Sequence, residues 1–523
     1  MKKTMKQHSF ASRLKSLALV FGIALAFASC ANEDIAQTPN GTDNNKNFTI
    51  FSTGAPATRT SMESNGTFYW EAGDKIWVKD DDGAWQQSRN APTEKTASFK
   101  FEVPGKFTKT STYKVYYPGQ NGNQNQVTIV ANQSQAEPNT TAHFGTSGDC
   151  GMADATWSNA KNGFAFTLDH KAAYLLFLPR TSNTILHDCY LTKVEVNSDN
   201  DITSTYTLNP TTGELTGIGT GKQITVSTVG SGAYANGFLL TNNATSAATN
   251  GAYVVIKPGT HALKVRYWVK DMVTNVEGTI TKTLPSATYD RNKYYNITAN
   301  LDVTNYDGDK YYMWDAQQNY WSGHEWDKAN PWQPVLNGNS NSNYARNNTD
   351  LRYYHNGGGS GRFDATQSCA TLPNANEMSW YAMYGDPRWD ADGLWTTMGH
   401  LYKGGMWFKK KSVLLAEGHY NTEKSADGTT DLRTTWNSYT NTNSSITNSG
   451  LPSAADAGNY FYLPALGYYY SGLLDLVGAV GTFWSSSATP WGSSTAYGLN
   501  FDSGYARLEI FDRYSGFRAE ALQ

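Results

Sequence analysis

The sequence predicts a mostly β protein whose final 220 or so residues differ in character from the rest, and three observations carry that prediction. Charged residues make up only 17% of the chain and aromatic residues 13%, a balance that suits Gly- and Asn-rich sheets better than charged helices. From about residue 47 to 303, apolar residues alternate along short runs broken by turn signals, with no convincing helical period between them. Past about residue 304 the composition shifts: of the 16 Trp, Trp70, Trp77, Trp85, Trp157 and Trp268 precede that point and the rest follow it, from Trp314 to Trp491. A length of 523 residues matches a prior of about three domains.

The alternation is explicit in particular runs. "SFKFEV" places Phe99, Phe101 and Val103 on one face, and "LKVRYWVK" does the same with Leu263, Val265, Tyr267 and Val269. Hairpin turns are expected at Asp81-Asp82-Gly83 and in "NPTTGEL". Half-buried antiparallel strands joined in this way build one or two β-sandwiches.

The first thirty residues are a targeting segment. Lys2, Lys3, Lys6, Arg13 and Lys15 precede the apolar run "SLALVFGIALAFAS" and then Cys30, the order of a secretory signal. Phe27-Ala28-Ser29-Cys30 resembles a bacterial lipobox, although Phe27 and Ser29 depart from its commonest residues. The resemblance implies that Cys30 is acylated and anchors the chain to a membrane without spanning it. Residues 31–46 read as a polar tether, and its Glu33 and Asp34 resemble the acidic signals that send some lipoproteins to the outer face of the outer membrane. No later run approaches the length of a spanning helix, since "GLLDLVGAVG" is interrupted by Asp475. A net charge of -3 gives no footprint for nucleic acid. Cys150, Cys189 and Cys369 allow one disulfide at most, Cys150 with Cys189 being the pair to consider, and their spacing has no zinc signature.

"ATRTSMESNGTFYWEAGDKIWV", with Arg59, Trp70, Gly73, Asp74, Ile76 and Val78, followed by "LDHKAAYLLFL" and "KYYNITANLDV", resembles the fimbrillin-type proteins across residues 46–303. The resemblance implies two tandem transthyretin-like β-sandwiches, over residues 47–167 and 168–303. It also implies fimbrial subunits as partners through donor-strand exchange, in which a neighbour's strand completes an open groove. In that family cleavage after an Arg frees the groove, and Arg59, the first Arg after Cys30, is the candidate.

From residue 304 to 523 a second resemblance applies, with "DVTNYDGD" as the linker. Trp484-Ser485-Ser486-Ser487, Ala496-Tyr497, Leu499, Phe501, Arg513, Gly516-Phe517 and Arg518 match the closing pattern of a C-type-lectin-like (α+β) fold, in the branch shared with sulfatase-modifying factors. "LPNANEMSW" resembles that branch's helix start, capped by Asn374 or Asn376. Between the framework residues, Asn500, Asp502, Tyr505, Arg507, Glu509, Phe511, Asp512 and Tyr514 are expected on one exposed face of a strand pair. The arrangement resembles the terminal region of variable proteins made by diversity-generating retroelements, which makes these residues, with Tyr470 and Trp491, the expected ligand-binding set. Rigid Tyr rings among adaptable polar side chains suit such a surface. Trp484, Tyr497 and Phe517 are expected in the core.

Chemistry is weakly encoded. His324-Glu325 lacks the second His of a zinc-hydrolase helix, Asp386, Asp390 and Asp392 do not fill a calcium-loop pattern, and Cys369 stands alone where sulfatase-modifying enzymes use several cysteines or copper. Residues 304–523 hold neither the Glu-Pro-Asn nor the Gln-Pro-Asp triplet of calcium-dependent lectins, and Glu137-Pro138-Asn139 lies outside that stretch. The expectation is a non-enzymatic surface adhesin or pilus-tip protein, without metal or cofactor, that binds a host, bacterial or phage surface protein or a glycan. The alternatives are a structural fimbrial subunit or anchor and, less favoured, a sulfatase-modifying-factor-like enzyme.

Overall fold

Seven strands hydrogen-bond in a continuous path at the start of the chain, in a computed structural model that describes residues 47–53, 61–62 and 68–523. The targeting segment, Cys30, the tether and Arg59 lie outside the described residues. The path runs Trp85–Gln87, Trp77–Lys79, Tyr113–Tyr117, Gly151–Ser158, Gly163–Phe166, Thr49–Thr53 and Lys100–Val103. Its hairpin turn falls at Asp81-Asp82-Gly83 as expected: Asp80 Oδ1 accepts the Asp82 and Ala84 N–H groups, and Gly83 takes φ +76°. A side chain there would strain against that left-handed backbone.

Thr49–Thr53 is an internal strand of this sheet. It runs parallel to Gly163–Phe166 and antiparallel to Lys100–Val103. Phe51 is fully buried, its ring stacked on Phe164 at 4.9 Å. The first strand of the described chain is therefore gripped by two later ones.

The next region holds the largest core. Ala173–Arg180 is buried along nearly its whole length, between Ala252–Ile256, antiparallel to it, and Tyr294–Asn300, parallel to it. Cover on both faces explains why "AYLLFL" reads as a continuous apolar run instead of an alternation. The opposing sheet runs Glu277–Tyr289, Gly259–Lys270, Tyr190–Ser198, Gln223–Ser227 and Asn132–Ser134. Leu263, Val265, Tyr267 and Val269 all point into the core, as their alternation predicts. The "NPTTGEL" hairpin forms between Ser204–Leu208 and Leu215–Thr216, with Gly213 at φ +69°.

Two strands cross between regions. Gln126–Ile129 pairs with Ser204–Leu208, and Asn132–Ser134 runs parallel to Gln223–Ser227. Val127, Ile129, Phe144 and Cys150 thereby enter the same core as Leu175 and Val265. Residues 47–523 accordingly cluster as one compact unit. The three cysteines among the described residues are buried free thiols, so Cys150 and Cys189 are not joined.

"DVTNYDGD" is built into the fold rather than a free linker. Thr304–Tyr306 runs parallel to Arg388–Thr397, which continues through His400–Lys409 to Tyr460–Pro464. Across the junction, the Asp271 carboxylate accepts the Leu401 N–H at 3.0 Å and lies 3.2 Å from His400 Nδ1, while Asn183 Nδ2 donates to Thr396 Oγ1 at 2.8 Å.

The last sheet runs Tyr311–Tyr312, Phe517–Arg518, Gly481–Ala488, Thr495–Asp502, Tyr505–Asp512 and Tyr439–Asn441. Its first strand pairs with its last stretch of chain, Tyr311 opposite Arg518. Helix Ala375–Tyr384 packs on this sheet and starts with a capping box: Asn374 Oδ1 accepts the Glu377 N–H, and the Glu377 carboxylate accepts the Asn374 N–H. Asn376, the other cap considered, is instead buried and bonds Asp431 and the Leu432 N–H.

Asp431 also takes bidentate hydrogen bonds from Arg433, whose side chain is almost fully buried. Burial pushes the Asp431 carboxyl up, but the bonds from Arg433 and Asn376 outweigh it and hold the group at about 2. A carboxyl held below its unfolded value stabilises the fold above about pH 4 and loses that contribution as pH falls through its folded value. Acid titration from pH 5 to 2 is expected to remove about 2 kcal/mol of stability through this group. Asp431→Asn should start less stable at neutral pH and show a flatter decline, read as urea midpoints across that range.

Candidate functional site

The register of the last two long strands decides which side chains share a face. Asn500 lies opposite Arg507, Asp502 opposite Tyr505, Gly498 opposite Glu509 and Ala496 opposite Phe511. The alternate residues Leu499, Phe501, Ala506 and Leu508 are buried in the core beneath helix Ala375–Tyr384. The outer face continues onto Gly481–Ala488, where Thr482 pairs with Asn500 and Trp484 with Gly498. Trp484, Tyr497 and Phe517 are buried as expected, and Phe511 sits edge-on to Phe517 at 5.0 Å.

This face lines a concave pocket of about 510 Å³. Of the expected ligand-binding set, Tyr470, Asn500, Tyr505, Arg507, Phe511 and Asp512 line it. The others take different positions. Tyr514 stands at the rim: its hydroxyl donates to Asp512 Oδ2 at 2.7 Å and lies 3.1 Å from the Tyr470 hydroxyl. Those two bonds, the Tyr470 one foremost, push the Tyr514 hydroxyl well above the usual phenol range. Glu509 flanks the pocket and pairs with Arg507 at 3.0 Å. Asp502 caps the turn, accepting the Gly504 and Tyr505 N–H groups. Trp491 is 61% exposed but does not line the pocket.

Asn500 differs from its expected exposure and is only 4% accessible. Its amide donates to Thr482 Oγ1 at 2.9 Å, and its Oδ1 accepts Arg507 Nε at 3.0 Å. The buried amide thus orients Arg507, whose guanidinium lies 4.5 Å from the centre of the Tyr505 ring. Burial raises the Tyr505 hydroxyl above its ordinary value despite that neighbouring cation.

Sequence reasoning missed the wall opposite. Tyr468 and Leu476 come from the hairpin Leu466–Tyr470 and Leu473–Val477, which pairs back toward Gly481, and Val480 from the turn that leads into Gly481. The apolar run "GLLDLVGAVG", which holds Leu476 and Val480, was informative only as something too short to span a membrane. Leu476 adopts φ +58°, a left-handed conformation that a bulky residue rarely takes. Ile510 also lines the pocket despite sitting in the core-facing alternation, because it lies near the end of its strand.

Behind the pocket lies a buried cation. Arg513 is fully buried, 4.5 Å from the Trp314 ring, and donates to the carbonyls of Thr495, His355, Gly357 and Gly492. Burial pulls its guanidinium down to about 10. The group binds the 355–357 loop to the 492–495 loop. Cys369 is equally buried; it receives the Asp315 N–H at 3.2 Å, and burial pushes its thiol up to about 12, which leaves it a poor nucleophile. In the "GDPRWDADG" loop, Asp390 Oδ1 accepts the Asp392 and Gly393 N–H groups and Asp386 pairs with Arg388, so these carboxylates cap and brace the loop.

No protein-family model and no curated protein matches the chain. Among solved structures, it is similar to a provisionally designated cell adhesion protein from Bacteroides ovatus, at 16% identity over 48% of this chain and 92% of that one, with a TM-score of 0.29. It is also similar to a fimbrial protein from Bacteroides ovatus, at 12% identity over 56% of each chain and a TM-score of 0.27. The fimbrial anchor protein Mfa2 from Porphyromonas gingivalis overlays at 11% identity, covering 46% of this chain and 83% of that one, with a TM-score of 0.23. At such scores the fold rests on the sheets described above.

Replacing Arg513 by Met keeps volume but strips four carbonyls of their donor. The expected cost is about 3 kcal/mol or more, since buried acceptors are left unsatisfied. It should appear as a lower melting temperature, with faster hydrogen exchange in residues 355–357 and 492–495.

Proposed function

We propose that this chain is a surface adhesin or fimbrial-tip protein that captures its ligand on the outer face of strands Thr495–Asp502 and Tyr505–Asp512. The single observation that carries the reading is the convergence of Tyr470, Tyr505, Arg507, Phe511 and Asp512 around one open pocket. Aromatic rings braced by Asn500 and by the Tyr470–Tyr514–Asp512 chain give contact area at low entropic cost. On this reading residues 304–523 form a C-type-lectin-like binding domain carried on two fimbrillin-like sandwiches, at 47–167 and 168–303. The pairing of Tyr311–Tyr312 with Phe517–Arg518, which closes the region's ends on each other, supports it. Diversification of the pocket residues and a lipid anchor at Cys30 belong to the same proposal. The ligand is a surface protein or glycan of a host, another bacterium or a phage, and no enzymatic step is required. An adhesive role agrees with what the similar chains are named for.

Combined replacement of Tyr505, Arg507, Asp512 and Tyr514 by Ala should abolish adhesion of the purified protein to cells that the parent protein binds. Because these side chains sit outside the core, the melting temperature should stay within a few degrees, as expected for surface positions. Retained adhesion would overturn the reading.

A second reading, a fimbrial subunit completed by a neighbour's strand, is favoured by the place of Thr49–Thr53. That strand precedes Arg59, and its departure after cleavage would open a groove between Gly163–Phe166 and Lys100–Val103. Limited trypsin cleavage at Arg59 should then make the protein form higher oligomers by size-exclusion chromatography, and Arg59→Ala should prevent it. If cleaved protein stays monomeric, a donor-strand role fails.

A further inference from the structure

Two motifs left unused by the binding face meet in one pocket. The acidic stretch around Asp307 and Asp309, and the Glu325-Trp326-Asp327 run, together line a recess of about 270 Å³ with Asn305, Tyr306 and Lys328. It holds four carboxylates against one lysine. Asp309 and Asp327 are about half exposed and lie near Lys310 and Lys328, their own sequence neighbours, and such surface pairs hold little energy. Among the described residues, Asp307 and Glu325 have no ion-pair partner.

Glu325 supplies an independent sign of an unmet interaction. It is 8% exposed, its Oε1 accepts Asn319 Nδ2 at 2.9 Å, and its Oε2 has no hydrogen-bond partner among the described residues. Buried carboxylate oxygens are normally satisfied, and this one, on a residue that lines the recess, is left without a donor. The walls are held in advance. Gln333 donates to Gly308 O at 2.7 Å and accepts the Trp326 N–H at 3.1 Å. The buried Arg518 donates to Asp307 O, and its remaining charge is paired with Glu520. A side chain at Gly308 would clash with the Trp326 ring, so the glycine is what lets the indole close the recess.

We propose that this recess is a binding site for a guanidinium or ammonium group carried on a basic side chain of a partner protein. Its carboxylates supply the charge, and Trp326 and Tyr306 supply flat aromatic faces, which together suit an organic cation. A bare metal ion fits less well, since no three His, Cys, Asp or Glu residues among the described residues converge to ligate one. The site is separate from the aromatic pocket and survives or fails independently of the adhesin reading.

The test is isothermal titration of the purified protein with the blocked tripeptides acetyl-Gly-Arg-Gly-amide and acetyl-Gly-Lys-Gly-amide. The citrulline analogue, spermidine and calcium chloride serve as comparison ligands. At least one basic peptide should bind at one site while the uncharged citrulline peptide does not. Glu325→Gln and Asp307→Asn should each weaken that binding about tenfold or more, as for loss of a partly buried charge contact. Asp327→Asn, at the exposed rim, covers the case in which Glu325→Gln fails to fold and should weaken binding measurably. Equal binding of the citrulline peptide, or affinity unchanged in all the variants that fold, would overturn the proposal. So would calcium or spermidine binding with the basic peptides silent, which would assign the recess to a metal ion or a free amine.

Discussion

Two fully buried guanidinium groups govern the C-terminal region. Arg513 and Arg518 each sit at zero exposure within six residues of chain, where an unpaired charge would be costly. They meet that cost in different ways. Arg513 is surrounded by backbone carbonyls and the Trp314 ring, while Arg518 is bonded to Glu520 and to the Asp307 carbonyl. Each therefore binds chain segments distant in sequence, and the closing stretch cannot move without exposing a charge or stranding acceptors.

Both recesses depend on that arrangement. Arg513 fixes the loops behind the strand that carries Phe511 and Asp512, so the aromatic pocket has a rigid back. Arg518 holds the Asp307 carbonyl and lies 4.9 Å from the Tyr311 ring, at the point where the region's two ends pair. One short segment thus supports an aromatic pocket on one side and an acidic recess on the other. Rigidity of this kind favours recognition, because side chains that are already ordered lose less entropy on binding.

The junction with the preceding sandwich is equally firm. Asp271, Asn183 and Thr274 bond directly to residues of the 396–401 hairpin, and Leu401 is buried in the core of the second sandwich. These direct bonds hold the 396–401 hairpin against the preceding sheets without a flexible link. The Thr49–Thr53 strand joins Gly163–Phe166 to the edge strand Lys100–Val103, so removing it would separate the two.

The sequence by itself determined what local period and turn chemistry dictate. The alternation of Leu263 to Val269, the turns at Asp81-Asp82-Gly83 and "NPTTGEL", a cap at Asn374 or Asn376 and the outward set Tyr505, Arg507, Glu509 and Phe511 were all legible, because each follows from neighbours a few residues apart. Tertiary structure decided what depends on distant pairing. Gln126–Ile129 joins a strand some eighty residues later, Thr304–Tyr306 becomes part of a sheet, and Asn500, in the pocket lining, is buried and orients Arg507. The wall formed by Tyr468, Leu476 and Val480 and the meeting of Glu325 with Asp307 have no local signature, since only the folding of separate hairpins brings those side chains together.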